Sequence, residues 1–409
     1  PLDAYDVVVI GGTLVGCFAA MHAARDGLRV LLIERRTFLA TDITATLRPW
    51  LNRKGFETFD EEMKELFLPK AEQPEVGVPF EPQNPDNGFG DDVPLFCGSV
   101  KKQFMATLQR EGVHVLLMTG VWGVLADEQK RTASGLALAN KFGLQLVRSK
   151  SVIDTTSRSS GGRNAYSFSL ELYGVTDNAT REVAVPVSLG LLDDSVRVHR
   201  GKRRPGQCFV EFGLAASSQE AEEKARLKAE IVCAHLIKHD AAFRKARLVQ
   251  TAWETLRREK QATHRKIYPN YVSPTCTDTS TLSCRDVLGI DRRAKSLIRA
   301  LPIEERVGDR AQFIYHGSGR IPLEQCEVTG LDDIRLNYAI QHLAFDYERH
   351  LPVGSRSDVV VAGGGTAGAM TAIGAMEKDA SVTTVEYFPE LGGTKTDRKS
   401  TRLNSSHYS

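Results

Sequence analysis

Residues 5–44 recur as residues 357–396 without a gap, at a constant offset of 352. The first stretch reads YDVVVIGGTLVGCFAAMHAARDGLRVLLIERR and the second SDVVVAGGGTAGAMTAIGAMEKDASVTTVEYF. Asp6, Val7, Val8, Val9, Gly11, Gly12, Gly16, Val30 and Glu34 return as Asp358, Val359, Val360, Val361, Gly363, Gly364, Gly368, Val382 and Glu386. A period of that length is far beyond the few tens of residues of a solenoid repeat. It implies a duplicated domain, the second copy opening where the first has closed.

Within each copy the order is strand, glycine turn, helix, strand, acid. A short β-branched run without alternation predicts a strand buried on both faces of a parallel sheet. The glycines then allow a tight turn into a helix whose N-terminal amides and positive dipole end suit a pyrophosphate. The acid, Glu34 or Glu386, lies 18 residues beyond the last glycine, where it can accept hydrogen bonds from ribose hydroxyls. Dinucleotide binding is therefore the expectation, with Gly11, Gly12, Gly16 and Glu34 as candidates in the first copy and Gly363, Gly365, Gly368 and Glu386 in the second.

The copies are unequal. All three glycine positions are filled in the second, whereas Thr13 takes the middle place in the first. A missing side chain there lets the backbone approach the pyrophosphate, so Thr13 predicts a crowded site. After the acid, the second copy has Gly392-Gly393 where the first has Ala40-Thr41. Both differences predict a weakened first site.

These motifs resemble the FAD-dependent oxidoreductases of the glutathione-reductase-like superfamily, in particular a bacterial group with VVGGG-x-A-G, then E-R, then L-G-G. The Gly-Gly pair after the acid favours FAD over NAD and adds Gly392 and Gly393 to the implied cofactor residues. Ser151-Val-Ile-Asp-Thr-Thr-Ser157 resembles the family strand ending V-I-D-A-T-G-D, with Ser157 and Arg158 in place of the last two residues. Arg320–Cys326 and Gly330–Ile334 are weakly similar to the family's late segment that returns to the flavin domain.

The resemblance implies an α/β fold in five parts. Residues 1–163 form an FAD/NAD(P)-binding Rossmann-like domain. Its β-meander is expected over Val121–Leu125, Ser134–Asn140 and Leu144–Val147. Residues 164–330 form a strand-rich, substrate-type α+β domain, residues 331–356 a return helix and linker, and residues 357–396 the start of a second Rossmann-like domain. Residues 397–409 resemble a translated sequencing-library adapter and are expected to be non-native, the natural chain continuing beyond Thr396.

In the middle region Tyr166–Leu172, Val183–Leu189 and Cys208–Phe212 predict strands, Pro186 confining the second to an edge. Ser217 and Glu220 predict a capping box opening a helix. Phe243, Ala246, Val249, Trp253 and Leu256 predict a helical core stripe. His235 and His239 share a helix face but have no third ligand, so no metal site is expected. His316, in a glycine-containing stretch, is expected in a surface loop, a substrate-facing role being the alternative.

With a net charge of +2, nothing points to nucleic acid. The cluster His199–Arg204 predicts a solvated loop, since no aromatics interleave with it. Val359–Met376 carries no charge over a span-like length, but its five glycines fit a strand and turn better than a membrane span. Seven scattered cysteines without a C-x-x-C pair predict reduced thiols.

The function expected is flavin-mediated oxidation or reduction of a small-molecule substrate. Two alternatives stay open. One is a reductase binding both FAD and NAD(P)H, against which the long separation of the fingerprints argues. The other is a non-catalytic scaffold of dinucleotide fold.

Overall fold

The computed structural model describes residues 4–69, 80–81, 87–127, 132–140, 143–156, 163–217, 220–258, 268–274, 282–302, 356–386 and 391. They divide between two compact units, residues 1–344 and 345–409.

The first unit opens as its sequence predicts. Strand β1 (Ala4–Ile10) turns into helix α1 (Leu14–Arg25) and returns as β2 (Val30–Ile33), parallel to β1. A short helix α2 (Thr41–Thr44) and strand β3 (Trp50–Asn52) follow. Next come helix α3 (Glu61–Phe67), strand β4 (Asp92–Pro94, antiparallel to β3), helix α4 (Cys97–Arg110) and strand β5 (His114–Leu116, parallel to β2). The expected meander is present as β6 (Gly120–Asp127), β7 (Thr132–Asn140) and β8 (Gly143–Asp154).

What the sequence divides into two strands, Leu144–Val147 and Ser151 onward, is the single strand β8. Residues 143–148 of it pair antiparallel with β7, and residues 148–154 run parallel to β1. The meander and the parallel sheet are thus one sheet, ordered β5-β2-β1-β8-β7-β6.

Strand β1 is buried on both faces, as its unbroken β-branched run requires. Val7 and Val9 pack with Leu14, Phe18 and Met21 of α1 and with Phe104 of α4. Val8 and Ile10 pack with Leu136 and Leu138 beneath the meander.

A second sheet follows: β9 (Arg163–Tyr173), β10 (Arg181–Ala184), β11 (Ser195–Arg200), β12 (Cys208–Ser217), β13 (Arg247–Thr251) and β14 (Leu256–Arg257). Its order is β10-β11-β12-β9-β13, and β14 also pairs with β9. Helix α5 (Ala221–His239) covers one face, where Ala225, Ala229, Val232 and Leu236 join Leu170, Val198, Val210 and Phe212 in one core.

Three local expectations differ. Strand β10 is an edge strand but ends before Pro186, and Val187–Leu189 form a 3₁₀ turn. Glu220, not Ser217, is the N-cap of α5; Ser217 ends β12 and donates to the Glu220 carboxylate. The stripe Phe243–Leu256 is not a helix. A 3₁₀ turn at Ala241–Phe243 leads into β13 and β14, and Val249 is exposed. Helical spacing arose there by coincidence, and pairing with β9 decided the conformation.

The chain then returns to the first sheet. Strand β15 (Tyr271–Val272) pairs parallel with β8, and helix α6 (Cys284–Arg299) packs against α1, where His22 Nε2 lies 2.7 Å from Asp291 Oδ1. Ser283 and Asp286 cap α6 with a reciprocal capping box. The sequence resemblance placed such a return at residues 320–334, which lie outside the described residues, as does His316.

In the second unit, β16 (Val359–Ala362) and β17 (Val382–Val385) pair in parallel around helix α7 (Thr366–Met376). The uncharged run therefore splits into strand, turn and helix, and no described helix is long and apolar enough to cross a membrane. Helix α7 has no buried residue, and Val360, Met370 and Met376 are exposed.

Candidate functional site

Both glycine turns are built alike. Gly11 and Gly363 share a φ of +97°, in the left-handed region that favours glycine. A side chain at Gly16 would come within 2.0 Å of the Gly11 carbonyl oxygen, and one at Gly368 within 1.8 Å of the Gly363 oxygen. Each helix thus seats directly on its turn. The Gly12 amide donates to Glu34 Oε2 at 2.5 Å, and the Gly364 amide donates to Glu386 Oε2.

Beyond that shared frame the copies diverge. Gly365 is the N-cap of α7 and supplies no side-chain cap, and among the described residues a Cβ there meets nothing within 4 Å. Its counterpart Thr13 caps α1. Thr13 Oγ1 accepts from the Gly16 amide at 3.1 Å and donates to Thr155 Oγ1 at 2.8 Å, and Thr155 donates to the Ile10 carbonyl at 2.9 Å. The side chain expected to crowd the turn is a strut across it, joining α1 to the end of β8.

Glu34 is nearly sealed, 4% exposed, and its other oxygen accepts from the Arg36 amide at 2.7 Å. Burial pushes its carboxyl above the ordinary range against those two backbone hydrogen bonds. Residues 35–45 then fold back over the turn. Thr41 donates its amide to the Gly12 carbonyl at 3.1 Å, and Asp42 Oδ2 accepts from the Leu14 amide at 2.5 Å at the start of α1. Burial raises the Asp42 carboxyl too, with the Leu14 hydrogen bond opposing it. Arg35 and Arg36 pair with Glu254 at 2.8 and 2.6 Å, tying this segment to the second sheet.

Ala40, aligned with Gly392, sits at φ +54° in the left-handed region. Gly392, Gly393, Ser157 and Arg158 lie outside the described residues. Asp154, at the end of β8, accepts from the Tyr271 hydroxyl at 2.6 Å.

A second polar centre escaped the sequence reading. His199 is buried, not in a solvated loop: its ring stacks on Trp50 at 3.7 Å, and Nδ1 lies 2.7 Å from Asp92 Oδ2. Arg200, Arg203 and Arg204 lie over Phe89, Phe96 and Tyr173, so the interleaving aromatics come from distant segments. Glu211 Oε2 is 3.6 Å from His199 Nε2, and Arg48 Nε is 3.3 Å from Glu211 Oε1. Burial alone would raise the Glu211 carboxyl; Arg48 and His199 outweigh it and hold it down to about 2. Ser167, Ser169 and Glu171 alternate along β9 on the face shared with Glu211, a period-two polar pattern already present in the sequence. No group of three metal-ligating side chains occurs among the described residues; His235 and His239 only stack on each other.

The sequence pattern of the family described as FAD dependent oxidoreductase matches residues 6–161 and 358–407, together just over half of the chain. The chain belongs to that family.

Each matched stretch contains one fingerprint, the first running on through the meander and the second to residue 407, and FAD is the family's cofactor. The chain is also similar to digeranylgeranylglycerophospholipid reductase 2 of Methanothermobacter thermautotrophicus, 59% identical over 39 residues. That stretch spans 10% of either chain. Among solved structures, a geranylgeranyl bacteriochlorophyll reductase-like protein of Thermoplasma acidophilum superposes with a TM-score of 0.51 at 15% identity. It covers 73% of this chain and 77% of its own, a likeness of fold. Aklavinone-11 hydroxylase in complex with FAD and aklavinone gives a TM-score of 0.48 at 14% identity, covering 72% of this chain and 61% of that one.

The second fingerprint fits the ADP half of FAD. An open glycine N-cap begins a helix there, and an acid at the end of the next strand is already oriented by the Gly364 amide. The first offers a Thr-capped helix whose opening amide is taken by Asp42.

Proposed function

We propose that this protein is a flavin-dependent oxidoreductase of the glutathione-reductase-like kind, acting on a small-molecule substrate. Its FAD is held at the second fingerprint by Gly363, Gly365, Gly368 and Glu386, to which the sequence resemblance adds Gly392 and Gly393. The observation that carries this reading is the contrast at one aligned position. Among the described residues nothing lies within 4 Å of a Cβ at Gly365, at the start of α7, where Thr13 fills the equivalent turn.

When bound, FAD accepts and returns electron pairs, and the protein's groups position and tune it. The α7 N-terminus would face the pyrophosphate, and Glu386, fixed by the Gly364 amide, would meet the ribose. The test is reconstitution of the full chain with FAD followed by gel filtration. Co-eluting flavin absorbance is expected, and Gly365→Thr should strip most of it. A chain that stays colourless after reconstitution overturns the assignment.

A further inference from the structure

The first copy keeps every backbone element of a dinucleotide site, yet an anion of the protein itself stands at the start of its helix. We propose that the first copy is closed to dinucleotides, with the Asp42 carboxylate on the Leu14 amide standing where a bound pyrophosphate would have to lie. This rests on the reading above only in taking FAD as the cofactor to be excluded.

Three independent contacts support it. A helix N-terminus attracts an anion through its unsatisfied amides and its dipole, and here Asp42 Oδ2 meets the first amide of α1 at 2.5 Å. Thr13 takes a further donor of the first turn, the Gly16 amide, through its own hydroxyl. Glu34, the group that would receive a ribose, gives its second oxygen to the Arg36 amide and is nearly sealed. A diphosphate entering this turn would bring its charge onto a buried carboxylate and would find the Leu14 and Gly16 amides engaged.

The closure is part of the tertiary structure. Asp42 lies in the first turn of the short helix α2, whose N-cap Ala40 is left-handed. Thr44 Oγ1 donates to the Leu39 carbonyl at 2.7 Å, and Ala45 accepts from the Trp253 amide at 2.8 Å. Asp42 is thereby held from both sides, by its own loop and by the second sheet.

The test is hydrogen exchange of the full chain with and without FAD, read separately over residues 11–17 and 363–370. No added protection over 11–17 is expected in the wild type. Protection of those amides by FAD overturns the proposal. An absence of protection in both segments upholds the closure and overturns only the assignment of FAD to the second copy. Asp42→Asn keeps an acceptor for the Leu14 amide and removes the charge. It should bring FAD-dependent protection to residues 11–17, with affinity raised about tenfold or more over wild type. A folded Asp42→Asn chain that gains no such protection overturns the role given to the carboxylate. Asp42→Ala, compared by circular dichroism for folding, repeats the reading without an acceptor.

Discussion

Glu34 accepts the Gly12 amide at 2.5 Å, binding the end of β2 to the turn that follows β1. Its second oxygen takes the Arg36 amide, so one side chain orders the turn and the loop after β2 together. Glu34→Ala would leave two buried backbone donors unpaired and should lower stability by about 2 kcal/mol or more. Glu34→Gln, which keeps one acceptor, should lose less. Urea unfolding monitored by tryptophan fluorescence gives both values. Equal stability of wild type and Glu34→Ala would show that the contact orders nothing.

The buried acids give a pH dependence of definite sign. The folded carboxyls of Asp42 and Glu34 lie above their ordinary values of 3.8 and 4.5. Between the ordinary and the raised values the folded state binds more protons than the unfolded one. The contribution of these two acids to stability therefore falls as pH rises through that window, and is gained as pH falls through it. Asp42→Asn should flatten this part of the profile relative to wild type. Urea midpoints of both proteins across the mildly acidic range measure it; a midpoint that climbs less steeply with pH in the variant than in the wild type would reverse the assignment.

Glu211 works in the opposite direction. Its carboxyl is held at about 2, below the ordinary 4.5, by Arg48 and His199 against burial. Its contribution is present above pH 4.5 and is lost as pH falls toward 2. Arg48→Met removes the larger of the two compensating groups from a buried carboxylate, which should cost up to about 3–5 kcal/mol. The double variant Arg48→Met with Glu211→Leu should recover much of it. Thermal unfolding of the three variants decides, and a double variant no better than the single would show that packing, not charge, was lost.

Ala40 holds a left-handed conformation in which an L-residue is strained. Ala40→Gly should relieve that strain, offset in part by the greater freedom of glycine in the unfolded chain, for a net gain of up to about 1 kcal/mol. A loss of stability on this substitution, measured by urea unfolding, would place the strain elsewhere.

Strand β1 has a neighbour on each side, whereas β16 pairs with β17 alone among the described residues. The amides of Val359–Val361 should exchange much faster than those of Val7–Val9 in the same protein. Equal protection in the two strands would require a second partner for β16.

Much of this architecture could be read from the chain because its determinants are local. The unbroken β-branched runs, the glycines at the two turns and the acid 18 residues on are short-range constraints, and they specify strand, turn, helix and strand wherever they occur. The meander and the first strands of the second sheet were legible for the same reason. Other features depend on residues far apart. Asp42 reaches Leu14 only because its loop folds back, and it stands beside the aligned Gly-Gly position without belonging to any motif. Thr13 looked like an obstruction because its partner Thr155 is distant in sequence. The basic cluster at 199–204 looked solvated because its aromatics lie at Trp50, Phe89, Phe96 and Tyr173. The residues 243–256 carried a helical spacing that pairing with β9 overrode. The sequence by itself determined two strand-turn-helix-strand frames, since glycine conformations and strand burial are properties of neighbouring residues. Only the tertiary structure decided which charges meet at those frames, because a buried carboxylate is placed by whatever the rest of the fold brings to it.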